Sequence, residues 1–343
     1  MDPELKRNLV ELGMVRDIVV EDVRVRFTLA LTTMACPLKD GIRGEARRAV
    51  LALDGVEEVD VELAEMTAEE RGRLSADEEH AGQAEHLNHI RHVIAVMSGK
   101  GGVGKSLISG LLAVALRRQG HAIGVLDADI TGPSIPKMLL PDGARPGATP
   151  LAMLPAETET GIKVMSINLL LEREDQAVIW RGPRIGGAIK QFWTDVLWGD
   201  LDYLIVDLPP GTSDASLTVM QALPLSGVVL VTSPQDLAGM VVRKAAQMTL
   251  ELKIRLLGLI ENMSYFVCPD SGNRHDLFGP SRAEEAARQL GTPFLGRLPI
   301  DPEIARLCDA GQIESYPAAR FAPIAQHLAK STPAARAPAF PTP

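Results

Sequence analysis

Eight consecutive residues, GKGGVGKS from Gly99 to Ser106, constrain this chain more than any other feature. They satisfy the phosphate-loop spacing G-x-x-x-x-G-K-[ST], with a second lysine, Lys100, directly after the first glycine. An apolar run from Val93 to Met97 predicts a strand entering the loop, and the pattern from Leu107 to Arg118 predicts a helix leaving it. Gly99, Gly101, Gly102 and Gly104 let the backbone curl so that its N–H groups converge on phosphate oxygens, and the helix N-terminus adds partial positive charge. On this reading Lys105 reaches the β- and γ-phosphates of ATP, and the Ser106 hydroxyl ligates Mg²⁺. The nucleotide-binding set is Gly99, Lys100, Gly101, Gly102, Val103, Gly104, Lys105, Ser106 and Leu107.

Two further segments carry chemistry suited to such a loop. In LDADITGPSIP, Asp127 and Asp129 stand at the end of the next predicted strand, where carboxylates orient Mg²⁺-bound and attacking waters. Two capping aspartates are the alternative. In YLIVDLPPGTSD a strand leads to Asp207, placed to hold Mg²⁺ through water, and Pro209, Pro210 and Gly211 form a stiff turn near the γ-phosphate. Ser106, Asp127 and Asp207 are thus the expected magnesium set.

Strand-like runs at Val93–Met97, Ala122–Asp127, Lys163–Ile167, Tyr203–Asp207, Gly227–Thr232, Leu256–Glu261 and Pro293–Leu298 alternate with helical patterns. That predicts an α/β P-loop NTPase domain over 89–328, with a mostly parallel sheet covered by helices on both faces. Residues 1–64 read as a small α+β domain, 65–88 as a charged linker and 329–343 as a disordered Pro/Ala-rich tail. Aromatics are 4% of the chain, so aliphatic residues must build the core, with Phe192, Trp193 and Trp198 as core or dimer contacts. The net charge of −9 argues against nucleic-acid binding. No apolar run long enough for a membrane span, no apolar signal core and three scattered cysteines point to the cytoplasm.

GKGGVGKS, DADITGPSIP, DLPPGTSD, TSPQDLA and GLIENMSYFVCPDSG together resemble the Mrp/ApbC family of P-loop ATPases, in the deviant-Walker-A class with MinD and ParA. DPEL and LTTMACPLKD in the first 64 residues resemble the SufT-type domain often fused in front of them. The resemblance implies a homodimer sandwiching nucleotide. In it Lys100 reaches across to the partner's ATP, Lys105 and Ser106 act in cis, Asp129 positions water and Asn262 hydrogen-bonds adenine. It also implies assembly of iron–sulfur clusters and their transfer from scaffold to apoprotein clients, carried on a C-x-x-C pair shared by two copies.

This chain departs from that pattern at Cys268-Pro269-Asp270-Ser271, with serine where the second cysteine should stand. A dimer then offers two thiolates at Cys268 for a site that wants four. The alternative for Cys268 is a free thiol on a turn. Asp2 follows Met1 directly, so either the helix that usually precedes DPEL is absent or the chain starts late, and Met34 stands in place of an expected proline. Cys36 is either functional or a small buried hydrophobe; Cys308, in a helical pattern, reads as core. A helix over the linker would place His86, His89 and His92 on one side, with His80 nearby, which reads as a solvated face rather than a metal site. Beside an iron–sulfur ATPase stand two other readings: a spatial-organising ATPase of the MinD or ParA kind, and a regulatory ATPase that carries no cluster.

Overall fold

A computed structural model describes residues 10, 15–21, 23–31, 39–53, 55–65, 84–130, 132–149, 152–171 and 182–335. The chain divides into two compact units, 1–81 and 82–343. The first holds strands β1 (Val15–Glu21) and β2 (Arg24–Leu31), helix α1 (Lys39–Leu51) and strand β3 (Glu58–Glu65). Its sheet runs β1-β2-β3, antiparallel then parallel. Alternation decides the faces: Val25, Phe27, Leu29, Val59 and Val61 are buried together with Ala46 and Val50 of α1 against them. Cys36 lies outside the described residues.

The second unit begins with β4 (His89–Ser98), α2 (Lys105–Arg118), β5 (Ile123–Asp127) and α3 (Ile135–Leu139). Short strands follow, β6 (Gly147–Ala148), β7 (Met153–Leu154) and β8 (Ala156–Glu157), then β9 (Lys163–Ser166), α4 (Gly182–Thr194), β10 (Asp200–Asp207) and α5 (Asp214–Ala222). The unit closes with β11 (Gly227–Thr232), α6 (Asp236–Glu251), β12 (Leu256–Val267), β13 (Arg274–His275), α7 (Ala283–Gln289), β14 (Phe294–Ile300), α8 (Pro302–Asp309) and α9 (Ala322–Ser331). One nine-stranded sheet runs β13-β12-β11-β4-β10-β5-β9-β8, with β14 beside β12, and only the β12–β13 and β8–β9 pairs are antiparallel.

The central strand explains the layering. Val93 to Met97 of β4 are fully buried, as a parallel strand covered on both faces requires. Ile94 and Val96 join one core with Ile108, Leu111 and Leu112 of α2, while Val93, Ala95 and Met97 join the other with α4 and α6. Phe192, Trp193 and Trp198 lie in that second core. Cys308 packs against the first, where burial pushes its thiol up to about 11.

Three expectations change. His89 and His92 stand on β4 and His86 on a single 3-10 turn, so they share no helix face; His92 stacks on Tyr203 and donates to the Pro333 carbonyl at 2.8 Å. His80 lies outside the described residues. Order continues past residue 329, because α9 reaches Ser331 and the Ala335 N–H bonds the Arg91 carbonyl at 2.7 Å. Strand β12 runs six residues beyond Glu261 because Tyr265 to Val267 find partners in β14 and β13.

Candidate functional site

Strand register builds the site. β5 and β10 are parallel neighbours with Asp127 opposite Asp207, and Asp207 is opposite Val96 on β4. Adjacent strands lie about 4.8 Å apart, so two carboxylates emerge side by side at the strand ends, next to the loop that follows β4. That loop turns into α2 at Gly104, whose φ of 77° is left-handed. A Cβ there would stand 2.2 Å from Asn262 Nδ2, so glycine is required by conformation and by space. At the crest, Gly102 has φ of 79° and no heavy atom within 4 Å of a Cβ, leaving the backbone N–H groups accessible to an anion.

Lys105, 6% exposed, donates to Asp207 Oδ2 at 2.6 Å and to Ser106 Oγ at 3.2 Å, and its Nζ lies 3.9 Å from Asp129 Oδ2. Ser106 Oγ donates to the same Asp207 Oδ2 at 2.5 Å. Asp127 accepts from the backbone N–H groups of Asp129, Ser134 and Ile135 and from Ser166 Oγ, at 3.1–3.3 Å. Burial, then the facing Asp207 carboxylate, push its carboxyl from 3.8 up to about 8, against the opposing pull of Lys105 and of the Ile135 N–H. The Pro209–Gly211 turn is fixed by Gly211 N–H bonding Ser98 O at 3.0 Å and by Ser216 Oγ bonding the carbonyls of Pro209 and Gly211.

Lys105, Ser106, Asp127, Asp129 and Asp207 are therefore one cluster. Lys100 stands apart from it: its Nζ donates to Gln235 Oε1 at 2.5 Å, just before α6. Asn262 is 3% exposed and donates from Nδ2 to the Val103 carbonyl at 2.9 Å, bracing the loop from behind. Leu107 packs its side chain against the core. Motif spacing alone does not reveal Ser109, whose Oγ donates to Asp207 Oδ1 at 2.6 Å; its place four residues after Lys105, on the same helix face, is the signal. Nor does it reveal Gln235, which sits in TSPQDLA.

The donor set fits a magnesium ion. The carboxyl groups of Asp127, Asp129 and Asp207 gather around the Lys105 ammonium beside the Ser106 hydroxyl, and every donor is oxygen. Among the described residues no group of three or more His, Cys, Asp or Glu forms a complete metal site.

Cys268 lies elsewhere, half-buried just past β12. Its N–H bonds Asn273 O at 2.9 Å and its carbonyl accepts from Gly272 N–H at 2.8 Å, closing a tight turn. Hydrogen bonds from the Ser271 hydroxyl, then from the backbone of Ser271 and Asp270, draw its thiol below the usual range.

Two expected results follow here. Gly104→Ala strains the backbone and drives a methyl into Asn262, so it should cost about 1–3 kcal/mol of stability in denaturant unfolding and weaken nucleotide binding tenfold or more. Unchanged binding and midpoint would refute this account of the loop. For Asp127, the folded chain between about pH 4 and pH 8 holds a proton that the unfolded chain releases, so stability of the nucleotide-free protein falls as pH rises through that window. Melting temperature should drop between about pH 6 and pH 8, and Asp127→Asn should flatten the slope. An equal slope in both proteins would contradict it.

Comparison with known proteins gives the family and the fold. A family model described as NUBPL iron-transfer P-loop NTPase matches residues 89–332, and one described as iron-sulfur cluster assembly protein matches residues 1–62. The chain is 42% identical over 338 residues to an iron-sulfur cluster carrier protein of Synechocystis sp., covering 96% of this chain and 93% of that one. It is 44% identical over 268 residues to the cytosolic Fe-S cluster assembly factor NUBP2 of Bos taurus, covering 75% and 98%. Among solved structures, a nucleotide-binding protein of Archaeoglobus fulgidus in complex with ADP superposes with a TM-score of 0.60 at 46% identity, covering 66% of this chain and 89% of that one.

Proposed function

This chain belongs to the family of NUBPL iron-transfer P-loop NTPases, and we propose that it is a cytoplasmic, Mg-dependent ATPase that works as a homodimer to assemble iron–sulfur clusters or pass them from a scaffold to apoproteins. The observation that carries the reading is the buried cluster of Lys105, Ser106, Asp127, Asp129 and Asp207 beneath an open glycine crest. Phosphoryl transfer to water needs positioning and charge neutralisation rather than a covalent step. Magnesium, when bound, neutralises phosphate charge and orients water. In that division of labour the loop backbone and Lys105 hold the phosphates, Ser106 and Asp207 serve the ion, and Asp129 orients the attacking water. Asn262 braces the loop and, beside it, meets the base. ATP binding and hydrolysis then switch the dimer between two states.

Lys100 is the test of the two-chain reading. Its Nζ is held by Gln235 and not by the carboxylate cluster, so it is available to a second copy's nucleotide. Lys100→Ala should lose hydrolysis by roughly 10²-fold or more, as for other transition-state charge contacts, while each chain still binds nucleotide. Mixed with Asp129→Ala chains, it should leave at most one complete site per heterodimer. Full activity of Lys100→Ala would make this a P-loop protein that works within one chain. A regulatory ATPase without cargo is the second reading, and Ser271 is the observation that favours it.

A further inference from the structure

The Asp207 carboxylate is fully buried at the end of β10, and helix α2 holds both of its oxygens. Oδ2 accepts from Lys105 Nζ at 2.6 Å and from Ser106 Oγ at 2.5 Å. Oδ1 accepts from Ser109 Oγ at 2.6 Å. Lys105 and Ser106 belong to the phosphate-loop motif; Ser109 does not. It stands four residues after Lys105, about one helical turn further along α2, among the buried Ile108, Leu111 and Leu112. Ser109 itself is 0% exposed. A hydroxyl in such aliphatic surroundings is costly unless it is bonded. Its other acceptor is the Lys105 carbonyl of its own helix, at 3.2 Å. A serine has one proton to donate, and the shorter bond to a carboxylate is the stronger of the two, so that proton goes to Asp207.

What this bond does follows from how an aspartate turns. The terminal torsion of the side chain has broad wells, so a carboxylate anchored at one oxygen can rotate about its Cβ–Cγ bond. With Oδ1 tied to Ser109 and Oδ2 to Lys105 and Ser106, the plane of the Asp207 carboxylate is fixed from two sides. Magnesium demands near-ideal octahedral geometry, so it is sensitive to the aim of a carboxylate that serves it directly or through water. We propose that Ser109 is a positioning residue for the magnesium ion: by holding Oδ1 it presents Asp207 Oδ2 beside the Ser106 hydroxyl in the one orientation that serves the cation. This role rests on the Mg-dependent ATPase reading. The phosphate contacts of the loop backbone and of Lys105 do not pass through Ser109, so its loss separates metal affinity from nucleotide affinity.

The test uses the full chain with Mn²⁺ as the probe for Mg²⁺, titrated into the ADP complex, with free Mn²⁺ read by electron paramagnetic resonance. Ser109→Ala should weaken Mn²⁺ binding about tenfold, as loss of a partner that orients a metal-serving carboxylate does. Its affinity for ADP in EDTA should stay within about twofold of wild type. In an Asp207→Asn background the same Ser109→Ala should change Mn²⁺ affinity by less than about twofold, because the two residues act through one group. A merely structural effect of Ser109 would instead carry the same factor into both backgrounds. In steady-state hydrolysis the half-saturating Mg²⁺ concentration should rise by about tenfold, with kcat at saturating Mg²⁺ within about threefold of wild type. Circular dichroism and ADP titration report that the variants stay folded. Mn²⁺ affinity of Ser109→Ala within about twofold of wild type, a matching loss of metal-free ADP affinity, or an equal effect in both backgrounds overturns the role of Ser109 and leaves the ATPase reading standing. A wild type that binds no Mn²⁺ alongside ADP overturns the magnesium reading and the role of Ser109 with it.

Discussion

Lys105→Ala should abolish ATP hydrolysis, with a loss of roughly 10³-fold or more. The side chain is 6% exposed and faces both Asp207, at 2.6 Å, and Asp129, at 3.9 Å. Its removal takes away the phosphate contact and the ammonium that faces Asp207 and Asp129. A second signature separates this from simple unfolding. Lys105 opposes the upward push on Asp127, so its loss should raise that carboxyl further and extend the fall of stability with pH to higher pH than in wild type. Losing one partner of a buried ion pair costs about 3–5 kcal/mol at neutral pH, so melting should be followed from about pH 5, where Asp127 is protonated, up through about pH 8, where wild type loses that proton. Asp207→Asn in the same background should recover much of that stability and none of the turnover. Phosphate release within a few-fold of wild type in folded Lys105→Ala would overturn the assignment of this loop.

The loop, the mostly parallel sheet and the places of Asp127 and Asp207 at strand ends were legible because each rests on local pattern. A buried parallel strand must be continuously apolar, and its last polar residue marks the carboxyl end where ligands gather. Contacts made across the sheet were not legible. Gln235 meets Lys100 from a residue 135 positions later, and Ser166 reaches Asp127 from 39 positions away. Strand β1 went unseen because its outward residues Ile18, Val19 and Val20 are exposed and Asp17, at φ of 53°, breaks the alternation where the register shifts. The histidines at 89 and 92 look like a helix stripe at spacing three, yet the apolar run that follows draws them into β4.

Ser271→Cys should convert this chain into a stable cluster carrier. Cys268 and Ser271 stand in one tight turn, closed by the Gly272 N–H on the Cys268 carbonyl and the Cys268 N–H on the Asn273 carbonyl, so a sulfur at position 271 would stand in the same turn as the first. Two copies would then supply four thiolates, the set that a [4Fe–4S] cluster takes. A serine hydroxyl resists deprotonation far more than a thiol and is a poor soft ligand, so wild type should hold little cluster or release it readily. Anaerobic reconstitution, followed by metal analysis and absorbance in the sulfide-to-iron charge-transfer region, should show iron and sulfide rising toward about four each per dimer in Ser271→Cys. Cys268→Ala should abolish binding in both backgrounds. If wild type binds a stoichiometric, stable cluster, the serine is no impediment to cluster binding. If Ser271→Cys binds nothing, the ATPase works without cargo, and its switch serves regulation instead.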